Sequence, residues 1–192
     1  LLVDRVFDED VATPLTVYAR EETLAAVQAH LFNDVIWPDF GKLPTEENPM
    51  LRYRVCGPGD TVGIGHRNFH AVEVMHSVPS LGFTVQNSGG VFAVSGDTKS
   101  NETLWPVLNA CDDLKVLVIE VSFPDEMASL AQDSGHYTPK SLTEDLERLR
   151  HEPEIWLTGM KPGEEQRIFR QVVKAVPDKN IQMLSRGTVL TV

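Results

Sequence analysis

The sequence is poor in cysteine and has no long apolar run. Only two cysteines, Cys56 and Cys111, occur among its 192 residues, and they form neither a C-x-x-C motif nor a zinc-knuckle spacing. Buried free thiols are therefore expected. No apolar stretch approaches the ~18 residues of a membrane span, and no signal peptide is visible at the start. We expect no membrane partner and, by default, a cytoplasmic location.

Basic residues are also scarce. Seventeen Lys and Arg residues stand against 28 Asp and Glu residues, which gives a net charge of -11. Such a surface repels phosphate backbones, which excludes a broad footprint for long nucleic acid. A phosphorylated ligand must instead be held locally, by metal ions or by a helix N-terminus. With 42% hydrophobic residues, the length predicts one globular domain over residues 1–192.

The chain changes its pattern near residue 100. Strands are predicted at residues 15–18, 51–56, 61–65, 68–76, 82–86, 90–94, 114–120 and 155–158. Helices are predicted at residues 21–32, 101–110, 125–132, 138–149 and 164–175, and two short strands are predicted to close the chain. A sheet-rich part followed by alternating strands and helices predicts a layered α/β sandwich.

Three polar side chains stand at the ends of predicted elements. His76 ends a strand, Asp97 follows the strand at residues 90–94, and His136 precedes a helix that starts at Thr138 and Pro139. A strand-end imidazole is a metal-ligand type, a carboxylate can bridge two cations, and an imidazole before a helix N-terminus can donate a proton to a leaving oxygen. Together the three types match metal-assisted phosphoester hydrolysis.

Each of these residues also has a structural interpretation. A lone histidine such as His76 is more often a packed or surface residue than a ligand. Asp97 also suits a helix cap or an Asx turn, and His136 also suits a solvated loop. His66 and His70 lie in a predicted hairpin, where a metal pair and a surface turn are the alternatives.

Six stretches carry a resemblance to a known family. They are residues 30–40, 76–83, 95–98, 120–124, 134–139 and 156–162, and they span nearly the whole chain. In this order they resemble the class II 3′,5′-cyclic-nucleotide phosphodiesterases, relatives of ribonuclease Z in the metallo-β-lactamase superfamily. The resemblance implies an α/β fold of the metallo-β-lactamase type, an αββα sandwich that is incomplete at its N-terminus here.

The resemblance also implies roles for particular residues. His76 would bind one metal ion, Asp97 would bridge two, and His136 would stand near the scissile phosphate and act in catalysis together with Asp97. Trp37 and Phe40 would lie near the nucleotide and bind substrate. The implied cofactor is a divalent metal, zinc by expectation, dinuclear in the complete family site.

Two departures from the family pattern matter. The metal-binding run H-x-H-x-D-H is missing, and in relatives it precedes the region that begins here. Gly159 stands where the family has a histidine ligand. Two remaining ligands rarely hold a transition metal against water, so the expectation is that this chain alone lacks part of its metal site.

The resemblance implies hydrolysis of cAMP or cGMP, a small cyclic nucleotide, to the 5′-monophosphate. The alternative is a non-catalytic nucleotide-binding or interaction protein derived from that family. A ribonuclease-like hydrolase is a third hypothesis, which the acidic charge disfavours for long RNA. The sequence leaves a homodimer open.

Overall fold

The computed structural model describes residues 14–192, in two compact units at residues 14–57 and 58–192. In the first unit, strands β1 (Leu15–Ala19) and β2 (Leu51–Val55) pair in parallel. Helix α1 (Glu21–His30) lies between them in sequence, as in a β-α-β crossover. The interior of this unit is small and contains Phe40, Met50 and Leu51.

The second unit contains a seven-stranded sheet. Its strands in chain order are β3 (Thr61–Ile64), β4 (Arg67–Val74), β5 (Ser80–Asn87), β6 (Gly90–Val94), β7 (Leu114–Glu120), β8 (Glu154–Thr158) and β9 (Ile181–Met183). Sheet order equals chain order. Strands β3 to β6 pair antiparallel and β6 to β9 pair in parallel.

Helices connect the parallel strands, as parallel pairing requires. They are α2 (Leu104–Asn109), α3 (Ala128–Ser134) after a 3-10 turn at Asp125–Met127, α4 (Pro139–Leu146) and α5 (Glu165–Ala175). Apolar side chains of α2, α4 and α5 pack with alternate residues of β4, β6, β7 and β8 in one buried core. Among residues 14–192, no helix is long and apolar enough to cross a membrane.

The strand directions bring four chain segments to one edge of the sheet. Strands β6, β7 and β8 run in parallel, and β4 runs the same way because two antiparallel pairings separate it from β6. The segments that follow β4, β6, β7 and β8 therefore leave the sheet at a common edge, here called the carboxyl edge. In open α/β sheets this is where ligands bind.

The predicted α/β class is confirmed, with small differences at element ends. The predicted helix at residues 101–110 begins only at Leu104, because the Asn101 side chain accepts hydrogen bonds from the backbone N–H groups of Thr103 and Leu104. The prediction of a second short strand at the end of the chain was wrong. After β9 the chain turns at Ser185 and Thr188, and no further strand follows in the described part of the chain. The single-domain assignment stays a prediction.

Candidate active site

The carboxyl edge collects the three residues singled out from the sequence. His76 follows β4, Asp97 follows β6, and His136 lies between α3 and α4. The ring centroids of His76 and His136 are 4.8 Å apart. Asp97 is exposed and its charge acts on the pKa of His136. Residues up to 60 positions apart in sequence are thus brought into one cluster.

A glycine lets the His76 loop approach closely. The His76 Nδ1–H donates to the Gly135 carbonyl oxygen at 2.9 Å, which leaves Nε2 as the lone-pair nitrogen of the neutral ring, with the Ser77 hydroxyl 3.4 Å away as its exposed partner. Gly135 has φ 79°, and a Cβ there would meet the Ser77 nitrogen at 2.6 Å. Only glycine combines this left-handed C-cap of α3 with such contact.

His136 is held by a buried acid at the end of β7. Its Nδ1 lies 3.2 Å from Glu120 Oε1 and 3.1 Å from Ser122 Oγ. Glu120 Oε1 also accepts from the backbone N–H groups of Tyr137 at 3.0 Å and Thr98 at 3.2 Å. The Ser122 hydroxyl donates to Glu120 Oε2 at 2.9 Å. With Nδ1 engaged on this side, Nε2 is the nitrogen left for a ligand.

Burial and the neighbouring charges shift the pKa values of Glu120 and His136 in opposite directions. Burial, with a smaller contribution from the charge of Asp97, raises the pKa of the Glu120 carboxyl to about 8, although the hydrogen bonds from Tyr137, Ser122 and Thr98 lower it. Burial also lowers the pKa of His136, to which His76 and Lys161 contribute, while Asp97 raises it. Near neutral pH Glu120 therefore keeps much of its proton beside Nδ1 of His136, which suits an acid–base pair.

A second buried network anchors the residue after His136. The Tyr137 hydroxyl donates to Asp145 Oδ2 at 2.5 Å, and Trp105 Nε1 donates to the same oxygen at 3.1 Å. Tyr137 and Trp105 are fully buried, so both polar groups need these bonds. This network ties α2 and α4 to the backbone that places His136.

The segment after β8 contributes Gly159, which has no side chain, and the positively charged Lys161 to the cluster. Gly159 has φ 74°, and a Cβ there would lie 3.3 Å from Glu120 Cβ and 3.5 Å from Ser122 Oγ. The side chain missing at Gly159 would therefore enter the cluster. Lys161 Nζ lies 5.0 Å from the centre of the Phe123 ring, within the range of a cation–π contact.

Metal-ligand chemistry is present here but sparse. His76 Nε2 and the Asp97 carboxylate are donor types that divalent metals accept. Within residues 14–192, no three His, Cys, Asp or Glu side chains are grouped to hold a metal ion. The described residues alone do not complete a metal centre.

The two predicted substrate contacts lie in the first unit. Trp37 is 48% exposed, whereas Phe40 is 2% exposed and packs edge-on against Phe32 at 5.5 Å between ring centroids. Phe40 therefore contributes to the interior of residues 14–57. The role of Trp37 and Phe40 in nucleotide binding stays a prediction.

Three residues of the cluster had no role in the sequence-based prediction: Glu120, Ser122 and Lys161. Glu120 ends an apolar strand in which six of seven residues are buried. A carboxyl at the end of such a strand is costly to bury without partners. The acidic residue at the end of an apolar run was therefore the sequence feature that could have identified Glu120 as a site residue.

Comparison with known proteins finds a similar sequence and several similar folds. No protein-family model matches the chain. A probable 3′,5′-cyclic-nucleotide phosphodiesterase of Yersinia pestis is 27% identical over 149 residues, covering 70% of this chain and 43% of that protein. Unliganded yeast PDE1 superposes with a TM-score of 0.77 at 19% identity, covering 95% of this chain and 61% of that one.

A third similar structure is the metallo-β-lactamase fold protein YhfI of Bacillus subtilis. Its TM-score is 0.72 at 13% identity, over 97% of this chain and 69% of that one. The chain has the metallo-β-lactamase fold, as its motifs predicted, and it is similar to a cyclic-nucleotide phosphodiesterase. It spans less than half of the Yersinia pestis relative, at 43%, and about three fifths of yeast PDE1, at 61%.

Proposed function

We propose that this chain forms the carboxyl-edge part of a metal-dependent hydrolase that opens the 3′,5′-cyclic phosphodiester of cAMP or cGMP. The observation that carries the proposal is the grouping of His76, Asp97 and His136, with Glu120 behind His136. The likeness to the Yersinia pestis phosphodiesterase supports the choice of substrate class. The product would be the nucleoside 5′-monophosphate.

His76 and Asp97 would hold a divalent metal, with zinc as the expected ion. The Gly135 carbonyl orients His76 so that Nε2 is available, and Asp97 is exposed where it can reach a cation. We propose that further donors, needed for a dinuclear centre, come from outside the described residues. When bound, the metal supplies activation of the attacking water and neutralisation of phosphoryl charge.

His136 would give its proton to the leaving oxygen. Water attacks phosphorus, the bond between phosphorus and the 3′-oxygen breaks, and Nε2 of His136 protonates that oxygen as it leaves. Glu120 acts as a positioning residue, because it engages Nδ1 of His136 at 3.2 Å and so sets the ring orientation and proton count. The Lys161 ammonium adds positive charge beside His136, which favours an anionic substrate.

A second candidate is a binding protein without catalysis. Gly159 favours it, because this position offers no side chain to a metal although its Cβ would enter the cluster. The charge of -11 disfavours long RNA as a substrate of either form.

The test is hydrolysis of cAMP and cGMP by the full-length protein that contains these residues, with zinc or manganese added. We expect turnover above a metal-only control, and a loss of about 100-fold or more in kcat for His136→Asn, because general acid catalysis contributes about 10²–10⁴-fold. His151→Asn is the matched control, since His151 precedes the first residue of β8 and the carboxyl edge lies at the last residue of this strand. Absence of turnover, or equal losses in both variants, would refute the proposal.

A further inference from the structure

One pocket of the second unit lies away from the carboxyl edge. It is a cavity of about 380 Å³ on the helix-covered side of β3, β4 and β5, next to the C-terminal end of α2. Small-molecule sites have volumes of about 300–1,000 Å³. His70 lines it, six residues before His76 on β4, which corresponds to ~20 Å along a strand. The cavity is therefore separate from the candidate active site.

Cross-strand pairing gives this cavity a polar floor. Thr61 is paired with His70 and His70 with Thr84, so these side chains form one row across three strands. Asn68 and Gln86 are paired in the neighbouring row. Polar side chains on the helix side of a sheet break the expected alternation, in which that face is apolar.

Thr84 presents a hydroxyl to this cavity. Its residue is only 7% exposed, and its hydroxyl has no hydrogen-bond partner among the described residues. The neighbouring His70 is already engaged, because its Nδ1 lies 3.1 Å from Thr61 Oγ1. Among the described residues, the Thr84 hydroxyl is not a fully buried atom without a partner; it opens onto the cavity, where it can both donate to and accept from a ligand.

The remaining lining defines what the cavity can accept. Val91, Val107 and Ala110 give it an apolar wall. No Lys or Arg side chain of residues 58–192 lines it, and Asp112 contributes a carboxylate. A phosphate group is therefore disfavoured, whereas a neutral molecule with both donors and acceptors matches the floor.

The side-chain amides of Asn68 and Gln86 further define the chemical class of the ligand. Side-chain amides of Asn and Gln make paired donor and acceptor bonds to the edges of nitrogen heterocycles. Asn68 and Gln86 lie opposite each other across β4 and β5, beside the apolar wall that a flat ring would contact. We infer that this cavity binds an uncharged, nucleoside-sized heterocycle, with Thr84, Gln86 and Asn68 supplying its hydrogen bonds.

Adenosine and AMP form a matched pair of probes, because they differ only by a phosphate. Saturation-transfer NMR and thermal unfolding of the chain would be measured with each. We expect adenosine to give saturation transfer and to raise the unfolding temperature, and AMP to do neither through this cavity. Binding of AMP as tight as that of adenosine and weakened by the variants below would overturn the assignment of an uncharged ligand.

Two variants locate the binding. Thr84→Val removes one hydroxyl at nearly constant volume, and Gln86→Ala removes an exposed amide. Each is expected to weaken adenosine binding about five-fold, the effect of one hydrogen bond. Gln132→Ala, on exposed α3 surface outside the cavity, should leave binding unchanged.

The ligand-free protein supplies a second readout. Thr84→Val should leave the unfolding temperature of the ligand-free protein nearly unchanged, because the hydroxyl that it removes opens onto the cavity and makes no hydrogen bond to the described residues. If Thr84→Val does not fold, Gln86→Ala alone decides the location. No adenosine binding, or binding that neither variant weakens, would overturn the inference and would assign any residual signal to another site.

Discussion

The position after β8 offers the sharpest test of the metal chemistry. We predict that Gly159→His adds a donor to the cluster, because a Cβ there would lie 3.5 Å from Ser122 Oγ and 3.3 Å from Glu120 Cβ, a tight contact that a shift of a few tenths of an ångström relieves. The backbone cost is about 1–2 kcal/mol, since φ is 74° and a side chain disfavours that region. The imidazole would stand with His76 and Asp97 as a third donor.

The expected gain in zinc affinity is about 100-fold or more, because residues that only support ligands already change affinity about 10–100-fold. Zinc binding would be measured by competition with a chromophoric chelator, and stability by urea unfolding. Gly159→Ala is the matched control, with the same backbone strain and no imidazole. If Gly159→His bound zinc no better than Gly159→Ala, the metal hypothesis for this position would fail and the non-catalytic alternative would gain.

Two further predictions concern stability. The first concerns Glu120→Gln. As pH rises from 4.5 to about 8, the free energy of unfolding of the wild type should fall relative to that of this variant, which has no carboxyl to ionise. A carboxyl with a raised folded-state pKa stabilises the fold only while protonated, and full ionisation costs about 5 kcal/mol. Urea unfolding in metal-free buffer measures this, and a gap that stays constant with pH would contradict it. Gly135→Ala should lose about 1–3 kcal/mol more than Gly163→Ala, because both have positive φ but only Gly135 would meet the Ser77 nitrogen, at 2.6 Å. Equal losses in urea unfolding would show that the close approach at Gly135 is unimportant.

Some features of this protein follow from short stretches of its sequence. The run from Leu114 to Glu120 predicted a buried strand, and the pair Thr138 and Pro139 predicted a helix start. The structure confirms both, with Thr138 as N-cap in a capping box and Pro139 at the first position. Such features depend on periodicity and capping within a few residues, so they can be read locally. The strand-end positions of His76 and Asp97 were predictable for the same reason.

The arrangement of the site depended on tertiary structure. Sequence spacing does not show that Gly135 receives the Nδ1–H of His76, 59 residues away, or that Glu120 engages His136. These contacts follow from the order and direction of the strands, which set which segments meet at the carboxyl edge. Thr84 is a second example: strand pairing places it opposite His70 and in the lining of the cavity, and no neighbour in sequence predicts that. Local patterns determined the elements, and long-range packing decided which polar groups meet, because hydrogen bonds and charge interactions act over distances in space rather than along the chain.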